Sequence, residues 1–248
     1  MFAAFVLFAT WIVLGLPAAL ILFPWSLITG NVGPLYGAAM RITRTGLRLA
    51  GIRVQVEWHQ PLDPQEPCIF LSNHISNLDP PILLPLLPSR VSVFIKRSLL
   101  KIPILGYGMG LGKFIPVDRD GRSESAKESV DNATRVLASG IAVLSFVEGT
   151  RSRDGRLQAF KKGPFYLALE SGAPVVPVSI HGTESMMRKG SVRIFPGTAH
   201  VTFHAPILPR NHATREDLMA AVRAAIASGL PQWMRDEASE PPRPRDDP

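Results

Sequence analysis

The chain has 248 residues, 46% of them hydrophobic, and a formal net charge of +7 at pH 7. That length accommodates one α/β domain with a sizeable core plus an accessory segment, and neither an internal repeat nor a second globular domain is evident. The single cysteine, Cys68, excludes an internal disulfide and a multi-cysteine metal site.

The apolar residues are unevenly placed: residues 1–40 contain no Asp, Glu, Lys, Arg or His. From Met1 to Trp25 the chain is almost continuously apolar, long enough to enter or cross a bilayer core. A cleaved secretory signal would start with basic residues, and this one does not, so the run reads as a membrane anchor. Two geometries stay open. One is a single spanning helix with Pro17 near its middle; the other is a two-helix or re-entrant hairpin bent around Gly15-Leu16-Pro17 or Pro24. Arg41, Arg44, Arg48 and Arg53 then precede the first acid, Glu57. The first three share a helical face, with Ile42, Leu47 and Leu49 available to the other. Arginines beside an apolar anchor suit an anionic leaflet, at about 1 kcal/mol each, and place the body at the cytoplasmic face of the cell membrane. The anchor turns the meaning of the net charge from nucleic acid toward the membrane surface.

In the body, Arg53-Val54-Gln55-Val56-Glu57-Trp58 alternates polar and apolar residues as a strand does. Residues 68–72 form a short apolar strand, Val91-Ser92-Val93-Phe94-Ile95 the next, and Phe114-Ile115-Pro116-Val117 one near an edge, because of its proline. A helix over 123–139 with Ala126, Val130, Ala133 and Leu137 in one stripe ends at Gly140. A buried strand over 141–147, a short helix over 164–171 and a strand over 175–180 follow. Val192-Arg193-Ile194-Phe195 and residues 200–204 read as shorter strands, and 214–228 as a capped helix. The charged, proline-rich end from Glu237 reads as disordered. The fold class expected is α/β, a layered mixed sheet flanked by helices, with residues 1–40 as anchor, 41–230 as the functional domain and 231–248 as a flexible tail. In such folds ligands gather at strand ends.

Four segments fall at such ends. In Asn73-His74-Ile75-Ser76-Asn77-Leu78-Asp79, a histidine and a carboxylate stand five apart. An imidazole that draws a proton from a hydroxyl is oriented by such a carboxylate. Residues five apart in one helix point to different faces, so the chain must turn between them, and Pro80-Pro81 suits a fresh helix starting at Asp79. The same segment also fits a plain reading, with Asp79 as helix cap and His74 as an ordinary histidine at a strand end. Gly112 to Arg119 delivers Asp118 and Arg119 into a loop. Phe146-Val147-Glu148-Gly149-Thr150-Arg151-Ser152 runs into a polar turn whose glycine, hydroxyl and guanidinium groups suit a phosphate. Val176-Pro177-Val178-Ser179-Ile180 is the fourth. Dinucleotide, Walker, nucleophile-elbow and zinc-protease motifs are missing, and His181 with Glu184 lacks a third metal ligand. His200 and His204 have no assigned role.

Taken in order, the four segments resemble the blocks of the 1-acyl-sn-glycerol-3-phosphate acyltransferases, within the glycerolipid acyltransferase superfamily, from about Trp58 to about Ile180. Val147 stands where that family's third block usually has proline, and Lys96-Arg97-Ser98-Leu99 keeps the lysine of a Lys-x-Glu-Leu element without its glutamate. The resemblance implies acyl transfer from acyl-CoA or acyl carrier protein to the free hydroxyl of a lysophosphatidate. It implies His74 as general base, Asp79 as its orienting partner, and Arg119 and Arg151, with Glu148, Gly149, Thr150 and Lys96, around the acceptor phosphate. It implies no metal and no bound cofactor. Another lysolipid acceptor, such as a lyso-ornithine lipid, stays open, as do a thioester or ester hydrolase and a non-catalytic membrane-binding protein.

Overall fold

The computed structural model describes residues 2–102, 105–117, 123–187 and 190–235. Helix α1 (Phe2–Thr10), a π-helical turn (Trp11–Gly15) and α2 (Leu16–Thr29) run on as one 28-residue apolar helix, of a length and composition that fit a membrane anchor. The bends expected at Gly15-Leu16-Pro17 and at Pro24 do not reverse the chain. A proline leaves the carbonyl four residues before it without an N–H partner, and the turn widens there: Leu16 N–H reaches Trp11 O, five residues back. The reversal comes at Gly30, after which α3 (Gly33–Leu49) packs back along α1 and α2, with Gly46 against Leu7 and Thr10. Ile42 and Leu47 of α3 are buried, while Arg41, Arg44, Arg48 and Leu49 are exposed. Arg44 also donates to the Pro85 carbonyl, tying the anchor to the body.

The body is built from β1 (Ile52–Trp58), β2 (Ile69–Ser72), α4 (Asp79–Leu83), β3 (Val91–Lys96), α5 (Leu105–Leu111), β4 (Ile115–Val117), α6 (Ser123–Ala138), β5 (Ala142–Phe146), α7 (Gly163–Ser171), β6 (Val175–His181), α8 (Thr183–Met186), β7 (Gly197–Phe203), α9 (Arg215–Ser228) and α10 (Gln232–Arg235). The strands form one mixed sheet in the order β1-β7-β6-β2-β5-β3-β4, so β4 with its Pro116 lies at an edge as expected. Strands β6, β2, β5, β3 and β4 are parallel, and β7 turns antiparallel to β6.

Period-two alternation splits the core into two layers. Phe70, Leu144, Val176, Val178 and Phe203 face α1, α3 and α4. Ile69, Leu71, Val143 and Val175 face Phe165 of α7, Ala133 of α6 and the Leu218, Val222 and Ile226 stripe of α9. Each large side chain buried this way contributes roughly 1.5–3 kcal/mol. Cys68 is buried in the first layer, and burial pushes its thiol up to about 12. Helix α9 starts with a capping box between Thr214 and Asp217, as its sequence predicts.

Residues 192–195 are not a strand. Val192 is 80% exposed, and the segment is held to the body by Phe195 N–H to Met186 O and by Ile194 packing on the first core layer. Pro196, with no N–H, precedes the ladder, and β7 starts at Gly197. The expected disordered end, 237–248, lies outside the described residues.

Candidate functional site

The parallel strands deliver their carboxyl ends to one side, and the candidate residues gather there. Strand β2 ends at Ser72, and its line is continued by a side chain. The Asn73 amide donates to Ile180 O and accepts from Ile180 N, both at 2.9 Å, bracing the exit of β2 against β6. The next residue, His74, turns its ring over Phe146 at the end of β5, with centroids 4.0 Å apart.

Asp79 is fully buried and closes the loop. Its Oδ2 lies 2.8 Å from His74 Nδ1 and accepts from Ile75 N and Ser76 N at 2.7 and 2.8 Å; its Oδ1 accepts from Thr183 Oγ1 at 2.6 Å. It is not a forward helix cap: Leu78 is the N-cap, Pro80 and Pro81 offer no N–H, and Ile82 N–H goes to Leu78 O, so the carboxylate reaches back into its own loop. A carboxylate accepts hydrogen bonds and cannot donate them, so Nδ1 carries the hydrogen and Nε2 of the neutral ring keeps its lone pair.

Glu148, expected from the sequence beside the acceptor phosphate, turns inward. It is 2% exposed, with Oε1 accepting from His74 N at 3.0 Å and Oε2 from Gln158 N at 3.2 Å. Burial pushes its carboxyl up to about 7, against the two N–H donors that pull it down. Ser152 N donates to His74 O at 2.8 Å, so the polar turn is bound to the histidine loop from two sides. Gly149 sits in the left-handed region at φ 69°, where a Cβ would come 3.0 Å from Lys161 Cγ.

Before these residues opens a cleft of about 1400 Å³. Its lining includes His74, Phe146, Gly149, Thr150 and the basic Lys96, Lys161 and Lys162, together with the apolar Trp11, Phe23, Tyr36 and Met40 of the N-terminal helices and Leu84 and Phe94. Lys96 is exposed and Arg151 half-buried. Arg119 and Asp118 lie outside the described residues. Sequence reasoning missed Thr183, the Asn73 bracket and the two bonds of Glu148. The signal for Thr183 was slight: a hydroxyl after a glycine, just past the fourth block.

The remaining histidines are elsewhere. His181 and His200, partners across β6 and β7, stack at 4.6 Å, and with His59 and His204 they line a separate polar cavity of about 510 Å³. Among the described residues no group of three His, Cys, Asp or Glu could hold a metal ion. Ser179 donates its hydrogen to Ile226 O, so His204 Nε2, 2.6 Å from Ser179 Oγ, must be the donor in that pair. Burial, aided by His200 and His59 respectively, pushes His181 and His204 down to about 4. The usual histidine value is about 6.5, so their unprotonated forms favour the fold. That contribution is present above about pH 6.5 and is lost as pH falls toward 4. Thermal unfolding in detergent is expected to show a loss on the order of 1–2 kcal/mol over this range, after allowance for solvent screening, and less of it in His204→Gln. An unchanged acid limb in that variant would contradict the assignment.

The acyltransferase family model matches residues 53–181, from β1 to the end of β6. A 1-acyl-sn-glycerol-3-phosphate acyltransferase of Limnanthes douglasii is 33% identical over 210 residues, covering 83% of this chain and 73% of that protein. A Chlamydomonas reinhardtii protein of the same description is 36% identical over 71% of this chain and 52% of its own length. The human alpha form is 31% identical over 69% of this chain and 60% of its own length. In fold, the chain is similar to the crystal structure of the 1-acyl-sn-glycerophosphate acyltransferase PlsC from Thermotoga maritima, with a TM-score of 0.79 and 24% identity over 92% of this chain and 93% of the other. A family match from the first strand to the sixth, joined by relatives above 30% identity along most of the chain, means that this protein belongs to the 1-acyl-sn-glycerol-3-phosphate acyltransferase family.

Proposed function

We propose that the protein acylates the free hydroxyl of 1-acyl-sn-glycerol-3-phosphate, taking the acyl group from acyl-CoA or acyl carrier protein and releasing phosphatidic acid. The observation that carries this reading is the 2.8 Å contact of His74 Nδ1 with Asp79, which leaves Nε2 as base at a cleft lined by both basic and apolar side chains. Nε2 takes the hydroxyl proton as the oxygen attacks the thioester carbonyl. The C–O bond forms, the C–S bond breaks, and the imidazolium returns its proton to the departing thiolate. Asp79 steadies the imidazolium while it exists.

Thr150, Arg151, Lys96 and Arg119 hold the acceptor phosphate in this reading. Glu148 acts from behind: a buried carboxylate would repel a phosphate, whereas its two N–H partners fix the histidine loop. The apolar walls contributed by α1, α2 and α3 suit an acyl chain, and a substrate that lives in the bilayer reaches them where the anchor meets the body. In this reading residues 1–40 serve as anchor, 41–230 as the reacting domain and 231–248 as a tail, and the exposed arginines of α3 support a position of the body at the cytoplasmic leaflet.

The test is a mass-spectrometric assay of purified protein in detergent, offering lysophosphatidate with each acyl donor in turn. Phosphatidic acid is the expected product. Free fatty acid without acylated lipid would indicate a hydrolase, and acylation of a different lysolipid, such as lyso-ornithine lipid, would move the acceptor.

A further inference from the structure

Asp79 has two oxygens and two sets of partners. Oδ2 is held by the histidine loop itself, while Oδ1 accepts from a hydroxyl 104 residues further along the chain. Thr183 opens α8, directly after β6, and is fully buried, as Asp79 is. Its position is set by the turn before it. Gly182 has φ 91°, and a Cβ there would come 2.3 Å from Thr198 O of β7, so the exit of β6 is pressed onto the neighbouring strand. The hydroxyl is thereby delivered to Asp79 from a rigid element.

We infer that Thr183 is a positioning residue for the His74–Asp79 pair: its hydroxyl fixes the rotation of the Asp79 carboxylate so that Oδ2 faces His74 Nδ1. Ile75 N and Ser76 N share Oδ2 with the imidazole, and the Thr183 hydroxyl holds the other oxygen, so the plane of the carboxylate is set from both ends. With Oδ1 unsatisfied in a fully buried position, the group tilts to recover a partner, and the bond from Oδ2 to the imidazole is weakened. Thr183 touches neither substrate in this arrangement and acts through Asp79. The inference rests on the reading of His74 as base.

Two variants of one site separate a hydroxyl effect from a packing effect. Thr183→Val keeps shape and loses the hydroxyl; Thr183→Ser keeps the hydroxyl and loses the methyl group. We expect kcat to fall roughly 10- to 100-fold in Thr183→Val with KM for either substrate nearly unchanged, and Thr183→Ser to recover most of it. Packing alone would give the reverse order, with valine tolerated and serine impaired, and that result overturns the inference. Should the valine variant not fold, Thr183→Ala against Thr183→Ser makes the same comparison. In an Asp79→Ala background, Thr183→Val should lower kcat no further, because the two act as one unit; a full additional loss would also overturn it. His74→Ala measured in the same assay keeps the two claims apart. Retained turnover there defeats the base assignment, whereas an inactive His74→Ala beside a fully active Thr183→Val defeats the role of Thr183 alone.

Discussion

His74→Ala is expected to lower kcat by roughly 100- to 10,000-fold, the range a positioned general base supplies. KM for lysophosphatidate should stay within a few-fold, because in the proposed function the phosphate is held by other residues. The fold should survive. Asp79 Oδ2 loses the imidazole but keeps Ile75 N and Ser76 N, Oδ1 keeps Thr183, and the His74 backbone keeps Glu148 and Ser152 as partners. Membrane association should survive too, since the apolar helix Phe2–Thr29 is remote in sequence and intact. Turnover measured by phosphatidate formation, together with a melting curve of each protein in detergent, decides the matter. A variant within about fivefold of the parent would mean that the hydroxyl loses its proton some other way.

Much of this arrangement was legible in the sequence, because its strongest signals are local. Ile69-Phe70-Leu71 is a short run of apolar residues bounded by polar ones, and such a run in the middle of a parallel sheet is buried on both faces. Pro80-Pro81 marked a new helix, which forced a turn between His74 and Asp79 and so made their contact possible. Long-range geometry was hidden. Thr183 meets Asp79 only because β6 lies beside β2, a neighbour relation that strand order decides and residue spacing does not. Glu148 looked like part of a ligand-binding turn because its neighbours are glycine, threonine and arginine. Its inward direction follows from β5 lying on the other side of β2, where the carboxylate meets the backbone of the histidine loop. Val192 to Phe195 shows the opposite failure. The composition there suits a strand, yet no partner strand lies beside it, and β-propensity expresses itself only where a pleated surface accepts the side chains. Span and hairpin could not be separated from the sequence for a related reason: a proline in an apolar helix can be absorbed by one wide turn, and the reversal needed only Gly30 and two residues after it.

Glu148→Gln tests the least obvious of these relations. Two N–H groups point at the two carboxylate oxygens, one from His74 and one from Gln158. An amide of nearly the same shape offers one oxygen and one NH2, so one backbone N–H must face another donor. Leaving such a buried group unpaired costs about 1–3 kcal/mol, and the His74 loop is one of the two places where the strain can be relieved. Displacement of a reacting group by about 1 Å can cost about 100-fold, and we expect a fall of that order in kcat with KM little changed. Protonation of the natural residue loosens the same loop more mildly, since both N–H groups then face a neutral carboxyl in place of a carboxylate. With the carboxyl pushed up to about 7, activity should weaken as pH falls through neutrality, and this step should vanish from the profile of Glu148→Gln. Stability moves the other way. A folded-state value above the ordinary carboxylate range means that the protonated form favours the fold, so stability is full below about pH 4.5 and declines as pH rises to about 7. The glutamine variant, which cannot ionise, should lack that decline. Full activity in Glu148→Gln, with the neutral-pH step still present, would show that the carboxylate does not hold the histidine loop in place.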